Sequence, residues 1–147
     1  MKIQDIMTRD PRCVTRDTPV RDAALLMKQE DVGILPVVDG EHSRQLVGVV
    51  TDRDIALRVV ADGRGANVTV GDVMSERSLA TCAPDRDVND AMDLMASEQV
   101  RRIPVVDERG MLVGIVSQAD VVRRASNDRK AEKTIESISR PGGEHAQ

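Results

Sequence analysis

The chain repeats itself. Val20, Ala23 and Met27 return 68 residues later as Val88, Ala91 and Met95, and Leu35-Pro36-Val37-Val38-Asp39 returns at the same interval as Ile103-Pro104-Val105-Val106-Asp107. Asp5-Ile6-Met7 returns as Asp72-Val73-Met74 at 67, and Leu46-Val47-Gly48 as Leu112-Val113-Gly114 at 66. Self-similarity at a near-constant interval marks a tandem duplication, and it constrains the fold more than any single motif does. The interval changes in an informative place: six residues separate Asp39 from Leu46, whereas four separate Asp107 from Leu112. Turns tolerate such a difference and strands do not, so a hairpin loop of variable length lies there.

Each copy carries the same coarse pattern. A short extended piece, Cys13 to Thr15 or Leu79 to Cys82, precedes a helix with apolar positions at i, i+3, i+4 and i+7. These positions are Val20, Ala23, Ala24 and Met27 in the first copy, and Val88, Ala91, Met92 and Met95 in the second. A strand (34–39; 102–107), a turn holding Gly40 or Gly110, and a second strand (46–51; 112–117) follow. The copy closes with a second helix, from Asp52 to about Asp62 or from Gln118 to about Ser126. The fold class is therefore α/β, two β-α-β-β-α repeats. A unit of ~60 residues buries too little apolar surface to be stable alone, so the two are expected to share a core about a pseudo-twofold axis.

On this reading residues 1–62 form the first repeat and 63–70 a linker in which Gly63 and Gly65 end the helix. The second repeat covers 71–126, and 127–147 is a polar tail, partly disordered. Within the tail, Ala131, Thr134, Ile135 and Ile138 are expected to form one face of a short helix, ended by Arg140-Pro141-Gly142-Gly143.

Composition narrows the function. Phe, Tyr and Trp are absent, so the core is aliphatic and nothing can stack on nucleic-acid bases in the usual way. The net charge of −4 argues against an indiscriminate polyanion binder. The best basic run, Arg123-Arg124 with Arg129-Lys130, is interrupted by Asp128 and followed by Glu132, which suits a mixed-charge helix end. Nucleic acid is thus a disfavoured partner. No apolar run approaches the ~20 residues that span a bilayer, and the N-terminus lacks the pattern of a signal peptide. Cys13 and Cys82 show no metal-ligand spacing, so no metal site is expected and the protein is expected to be cytoplasmic. P-loop, nucleophile-elbow and HExxH patterns are all missing, and His42 and His145 fall in a loop and in the tail. No catalytic residues are assigned, and the chain is not expected to be an enzyme.

One sentence is written twice: Gly48-Val49-Val50-Thr51-Asp52-Arg53-Asp54, and Gly114-Ile115-Val116-Ser117-Gln118-Ala119-Asp120. Thr or Ser before a helix, with Asp three positions later, is a capping box, and capping alone accounts for both. The same groups also suit a ligand. A helix N-terminus offers unpaired N–H groups to a phosphate, the hydroxyl adds a hydrogen bond, and the aspartate can accept from two ribose hydroxyls. The glycine lets the strand backbone run close to a neighbour or a ligand.

The two series, from Asp5-Ile6-Met7 through Leu35-Pro36-Val37-Val38-Asp39 to Thr51-Asp52-Arg53-Asp54, and from Asp72-Val73-Met74 to Ser117-Gln118-Ala119-Asp120, resemble a tandem pair of cystathionine-β-synthase (CBS) domains, a Bateman module. The resemblance covers Asp5 to about Arg124. It implies two clefts between repeats packed with pseudo-twofold symmetry, each able to take an adenosine nucleotide such as AMP, ADP, ATP or NAD as a regulatory ligand, with no cofactor required. Asp54 and Asp120 would then hold ribose hydroxyls, and Thr51 and Ser117 would sit near phosphate. Leu35, Pro36 and Val37, and Ile103, Pro104 and Val105, would line the clefts. Thr15 stands on the first extended piece, where members of the family often meet the ligand; its counterpart is Ala83, so the clefts are unequal.

Arg53 lies inside the first motif, and Arg102 could reach a phosphate. If only one cleft binds, the Thr51/Asp54 cleft is the expected one. The resemblance further implies a homodimer formed through the second helices, and a regulated protein, unidentified, encoded separately. Two other readings stand beside it: a dimeric interaction scaffold that needs no ligand, and a nucleic-acid-binding regulator.

Overall fold

The computed structural model describes residues 1–136 other than Ala66, Arg77 and Ser78, and from 128 onward the backbone alone. A 3-10 turn at Ile3–Asp5 leads to β1 (Thr8–Arg9) and β2 (Val14–Thr15). Then come α1 (Val20–Glu30), β3 (Ile34–Val38), β4 (Leu46–Thr51) and α2 (Asp52–Ile55), which continues as a π-helical turn at Ala56–Val60. The second half has α3 (Val70–Val73), α4 (Val88–Glu98), β5 (Arg102–Val106), β6 (Leu112–Ser117) and α5 (Gln118–Glu136). No break interrupts α5 near Ser126, because the sequence onward to Glu136 holds neither glycine nor proline and is rich in Lys, Arg, Glu and Ala. Ile138 and the Arg140-Pro141-Gly142-Gly143 stop lie outside the described residues.

Two three-stranded sheets result, with orders β2-β3-β4 and β1-β6-β5. In the first, β2 runs parallel to β3 and β3 antiparallel to β4, with Pro36 opposite Val49. In the second, Pro104 stands opposite Ile115, and an isolated parallel bridge at Cys82 takes the place of β2. A proline fits these strands because the flanking strand is so short: β2 pairs only with Val37 and Val38, beyond Pro36. Where the two halves meet, Gln45 bridges Met111. The Leu46 N–H donates to the Gly110 carbonyl (3.1 Å) and the Leu112 N–H to the Arg44 carbonyl. These reciprocal bonds relate the two hairpins to each other across the pseudo-twofold axis.

The leading segments are exchanged. Ile3 and Met7 pack with Ala91, Met95, Ile103, Val105 and Val116, in the core of the second repeat. Val70, Val73 and Met74 pack with Val20, Ala23, Met27, Leu35 and Val50, in the core of the first. Backbone bonds follow the same rule. The Ile3 N–H donates to Arg86 (2.8 Å) and the Gln4 N–H to Pro84 (2.9 Å), while the Val70 N–H donates to Thr18 (2.8 Å) and the Gly71 N–H to Arg16 (2.9 Å). In place of one shared core there are two, each completed by the other repeat's first residues.

Gly48 and Gly114 are the points of closest crossing. A Cβ on Gly48 would stand 2.7 Å from the Ser75 carbonyl oxygen and 2.6 Å from Met74 Cε. On Gly114 it would stand 2.9 Å from the Thr8 carbonyl oxygen and 2.5 Å from Met7 Sδ. Here the glycine makes room for a neighbouring chain segment.

A capping box starts α3, with the Asp72 carboxylate accepting the Thr69 N–H at 3.1 Å. The bonds from Thr69 hold the Asp72 carboxyl below its ordinary value of 3.8 against an opposing effect of desolvation, with a lesser contribution from the Arg64 charge. At the other end of α3, Arg58 donates to the Val73 carbonyl (3.0 Å).

Two outcomes follow from this packing. Ile3→Ala, at a side chain with 0% exposure, is expected to cost about 2–5 kcal/mol in urea denaturation, the loss of a core residue. A cost below ~0.5 kcal/mol, ordinary for a surface position, would place the leading segment outside the second core. Asp72→Asn is expected to lower the melting temperature at neutral pH. A carboxyl with a depressed pKa stabilises above its ordinary range, and that stabilisation is lost as pH falls through the lowered value, so the gap between wild type and variant should close in acid.

Candidate functional site

Both strand-to-helix junctions form the box that their sequences call for. Thr51, extended at φ −118° and ψ 161°, accepts the Asp54 N–H on its hydroxyl at 3.0 Å, and its own N–H donates to Asp54 Oδ2 at 3.0 Å. Ser117 and Asp120 repeat both bonds at 3.0 Å. Each box leaves the second carboxylate oxygen to other partners. At Asp120 that oxygen accepts from Arg123 Nη2 at 2.9 Å, one helical turn along α5.

The Ser117 junction opens into a cleft of about 350 Å³ between the repeats. Thr8, Pro11 and Arg12 of the exchanged segment form one wall, and Ile34, Leu35 and Pro36 of β3 an apolar one. Arg102 of β5, with Ser117, Asp120 and Arg123, completes it. The lining thus includes three guanidiniums, Arg12, Arg102 and Arg123, and two carboxylates, Asp120 and Glu30. Arg12 and Arg102 have no ion-pair partner among the described residues. Such a site suits an anion with an apolar body, and its volume lies at the lower end of the ~300–1,000 Å³ range of small-molecule clefts.

Of the residues singled out from sequence, Leu35, Pro36, Arg102, Ser117 and Asp120 come together here. Thr51, Arg53 and Asp54 stand together at the other junction. Val37, Ile103 and Val105 have 0% exposure, fill the two cores and line neither described cavity. Pro104 is buried on β5. Thr15 is tied to the turn before α1, where its N–H donates to the Thr18 hydroxyl at 3.1 Å. Arg12 and Arg123 were not foreseen. Arg123 had a readable signal, three positions beyond Asp120 on one helix face. Arg12 had none, since its place in the cleft depends on the exchange.

A second cavity, about 540 Å³, opens beside α4 and includes Cys82. Burial pushes the Cys82 thiol above its ordinary value of 9.0, which keeps it protonated and unreactive at neutral pH. No group of three or more metal-ligating side chains occurs among the described residues, and no helix of theirs is long and apolar enough to cross a membrane.

Comparison with known proteins places this geometry. The CBS domain family matches the chain twice, over residues 3–61 and 70–127. The chain is 39% identical over 137 residues to the CBS domain-containing protein YhcV of Bacillus subtilis, covering 93% of this chain and 94% of that one. Among solved structures, CBSX2 in complex with AMP superposes with a TM-score of 0.74 at 31% identity, covering 87% of this chain and 98% of the other. The CBS domain pair of MJ0100, in complex with 5-methylthioadenosine and S-adenosyl-L-methionine, gives a TM-score of 0.74 at 27% identity with the same coverage.

In the absence of any ligand, Ser117→Ala is expected to lower stability by about 0.5–2 kcal/mol through the lost cap. Chemical denaturation measures it, and no change would mean that the box is idle in the folded state.

Proposed function

The chain belongs to the CBS domain family, and from that premise we propose that it is a regulatory sensor binding an adenosine nucleotide in the Ser117/Asp120 cleft. The observation that carries the reading is the cleft itself: a helix N-terminus, a hydroxyl, a carboxylate and three guanidiniums converge beside the apolar wall of β3. Asp120 is suited to the ribose hydroxyls, Ser117 and the first N–H groups of α5 to the phosphate, and Ile34, Leu35 and Pro36 to the face of the base. The Thr51/Asp54 junction, the one expected from sequence if only one cleft binds, carries the same box and stays a second candidate. Two of the solved relatives named above carry adenosine compounds, which supports the ligand class.

A ligand in this cleft touches the first repeat through β3 and Arg12 and the second through β6 and α5. It can therefore favour one relative arrangement of the repeats, which is what a regulatory ligand must do. The receiver of that signal is a separate protein, and the setting is cytoplasmic. The sensor works as a homodimer, a reading supported by exposed aliphatic side chains on the helices: Val60 at 73%, Leu57 at 49%, Val122 at 48% and Leu25 at 44%. The same surface favours a second reading, a dimeric scaffold that needs no ligand.

Isothermal titration calorimetry with AMP, ATP, NAD and adenosine separates the two. Binding of at least one nucleotide is expected in wild type, weakened by about ten-fold or more in Asp120→Ala, the size of a lost hydrogen bond to a charged group. Absence of binding by all four compounds at millimolar concentration would leave the scaffold reading in place. Purified protein, lacking Trp and Tyr, absorbs almost nothing near 280 nm, so a band near 260 nm directly reveals co-purified nucleotide.

A further inference from the structure

We propose that Arg123 is the residue by which the Ser117 cleft selects phosphorylated adenosines over unphosphorylated or cationic ones, by trading Asp120 for the ligand's phosphate. The inference rests on the reading that Asp120 receives the ribose. Both oxygens of Asp120 are engaged, Oδ2 by the Ser117 N–H at 3.0 Å and Oδ1 by Arg123 Nη2 at 2.9 Å. Asp120 is 16% exposed and Arg123 66%, so the carboxylate is fixed in the wall while the guanidinium reaches it from solvent. A ribose whose hydroxyls both donate to Asp120 competes with Arg123 for Oδ1, and the exposed guanidinium is the partner able to give way.

What happens to the displaced arginine depends on the ligand. An ion pair this exposed holds only a few-fold, so it yields readily. Adenosine offers Arg123 no new partner, and the exchange gains nothing for the cation. A 5′-phosphate offers oxygens matched to the guanidinium fork, and the pair is replaced by a stronger one. Arg12 and Arg102 line the same cleft with no ion pair of their own among the described residues, adding attraction for an anion and repulsion for a sulfonium cation.

The device belongs to one junction only. At the repeat interval, Arg123 corresponds to Leu57, Arg102 to Ile34, and Arg12 to Leu79 or Ala80; in return Arg53 stands where the second copy has Ala119. Duplication has left two similar boxes in unlike electrostatic surroundings.

The test is calorimetry of AMP, adenosine and S-adenosylmethionine against the full chain carrying Asp54→Ala, so that the Ser117 cleft is read alone, with and without Arg123→Gln. Arg109→Gln, on the distant hairpin, is the control. The Asp54→Ala protein is expected to prefer AMP over adenosine by ten-fold or more and to bind S-adenosylmethionine weakest. Arg123→Gln is expected to weaken AMP about ten-fold while leaving adenosine unchanged or a few-fold tighter, since Asp120 is then free. An equal loss for AMP and adenosine would make Arg123 a merely structural residue and overturn the inference, as would an unchanged AMP-to-adenosine ratio. Both results leave the nucleotide-sensor reading standing. Absence of binding by every adenosine compound to wild type as well would remove that reading and this one together.

Discussion

The crossing of each repeat's first residues onto the other repeat's inner strand is the contact on which everything else depends. At Gly114 the backbone of Thr8 passes within 2.9 Å of where a side chain would begin, and at Gly48 the backbone of Ser75 passes within 2.7 Å. Two small units, each too short to close a core alone, thereby close each other's. Ile3, with no exposure, is as much a core residue of the second repeat as Ile103 is. The same crossing carries Thr8, Pro11 and Arg12 to the wall of the cleft. Core and cleft wall are thus supplied by one segment, and a perturbation of the first reaches the second.

The hydroxyl-and-carboxylate box is not by itself a ligand site. Thr69 and Asp72 form the same box at the start of α3, with Asp72 fully on the surface and no part in either cavity. Its work there is to start a four-residue helix that delivers Val73 and Met74 to the first core. The Ser117 box differs in its neighbours: an apolar strand across a gap, an exchanged segment, and three arginines. Capping alone explains why the residues are there, and the cleft is what the proposed ligand reading rests on.

Much of this was legible in the sequence because a duplication supplies its own alignment. The repeat interval placed β4 and β6 at their observed bounds and put Val20 and Val88 on α1 and α4. The exchange was illegible for the same reason. Asp5-Ile6-Met7 and Asp72-Val73-Met74 are near-copies, so each fits either core equally well by pattern, and only the three-dimensional path distinguishes them. The length of α5 was missed because polar composition was read as a tail, whereas Lys, Glu, Arg and Ala favour helix whether or not a face is buried. Val37, Ile103 and Val105 were read as cleft residues from their motif, whereas the structure buries them in the two cores, because β3 and β5 are covered on both faces at these positions.

The same logic shows where ligand preference has to be written. Thr51, Asp54, Ser117 and Asp120 each make two bonds that the folded chain uses with no ligand present, so both copies keep a hydroxyl and a carboxylate regardless of what the clefts receive. Positions without such a duty are free to diverge, and they are the ones that differ: Arg53 against Ala119, Leu57 against Arg123, Ile34 against Arg102. Removing Arg123 takes nothing from the cap, whose bonds run between Ser117 and Asp120. Selectivity can therefore change at one junction without cost to the fold, and two clefts descended from one sequence can come to answer to different ligands.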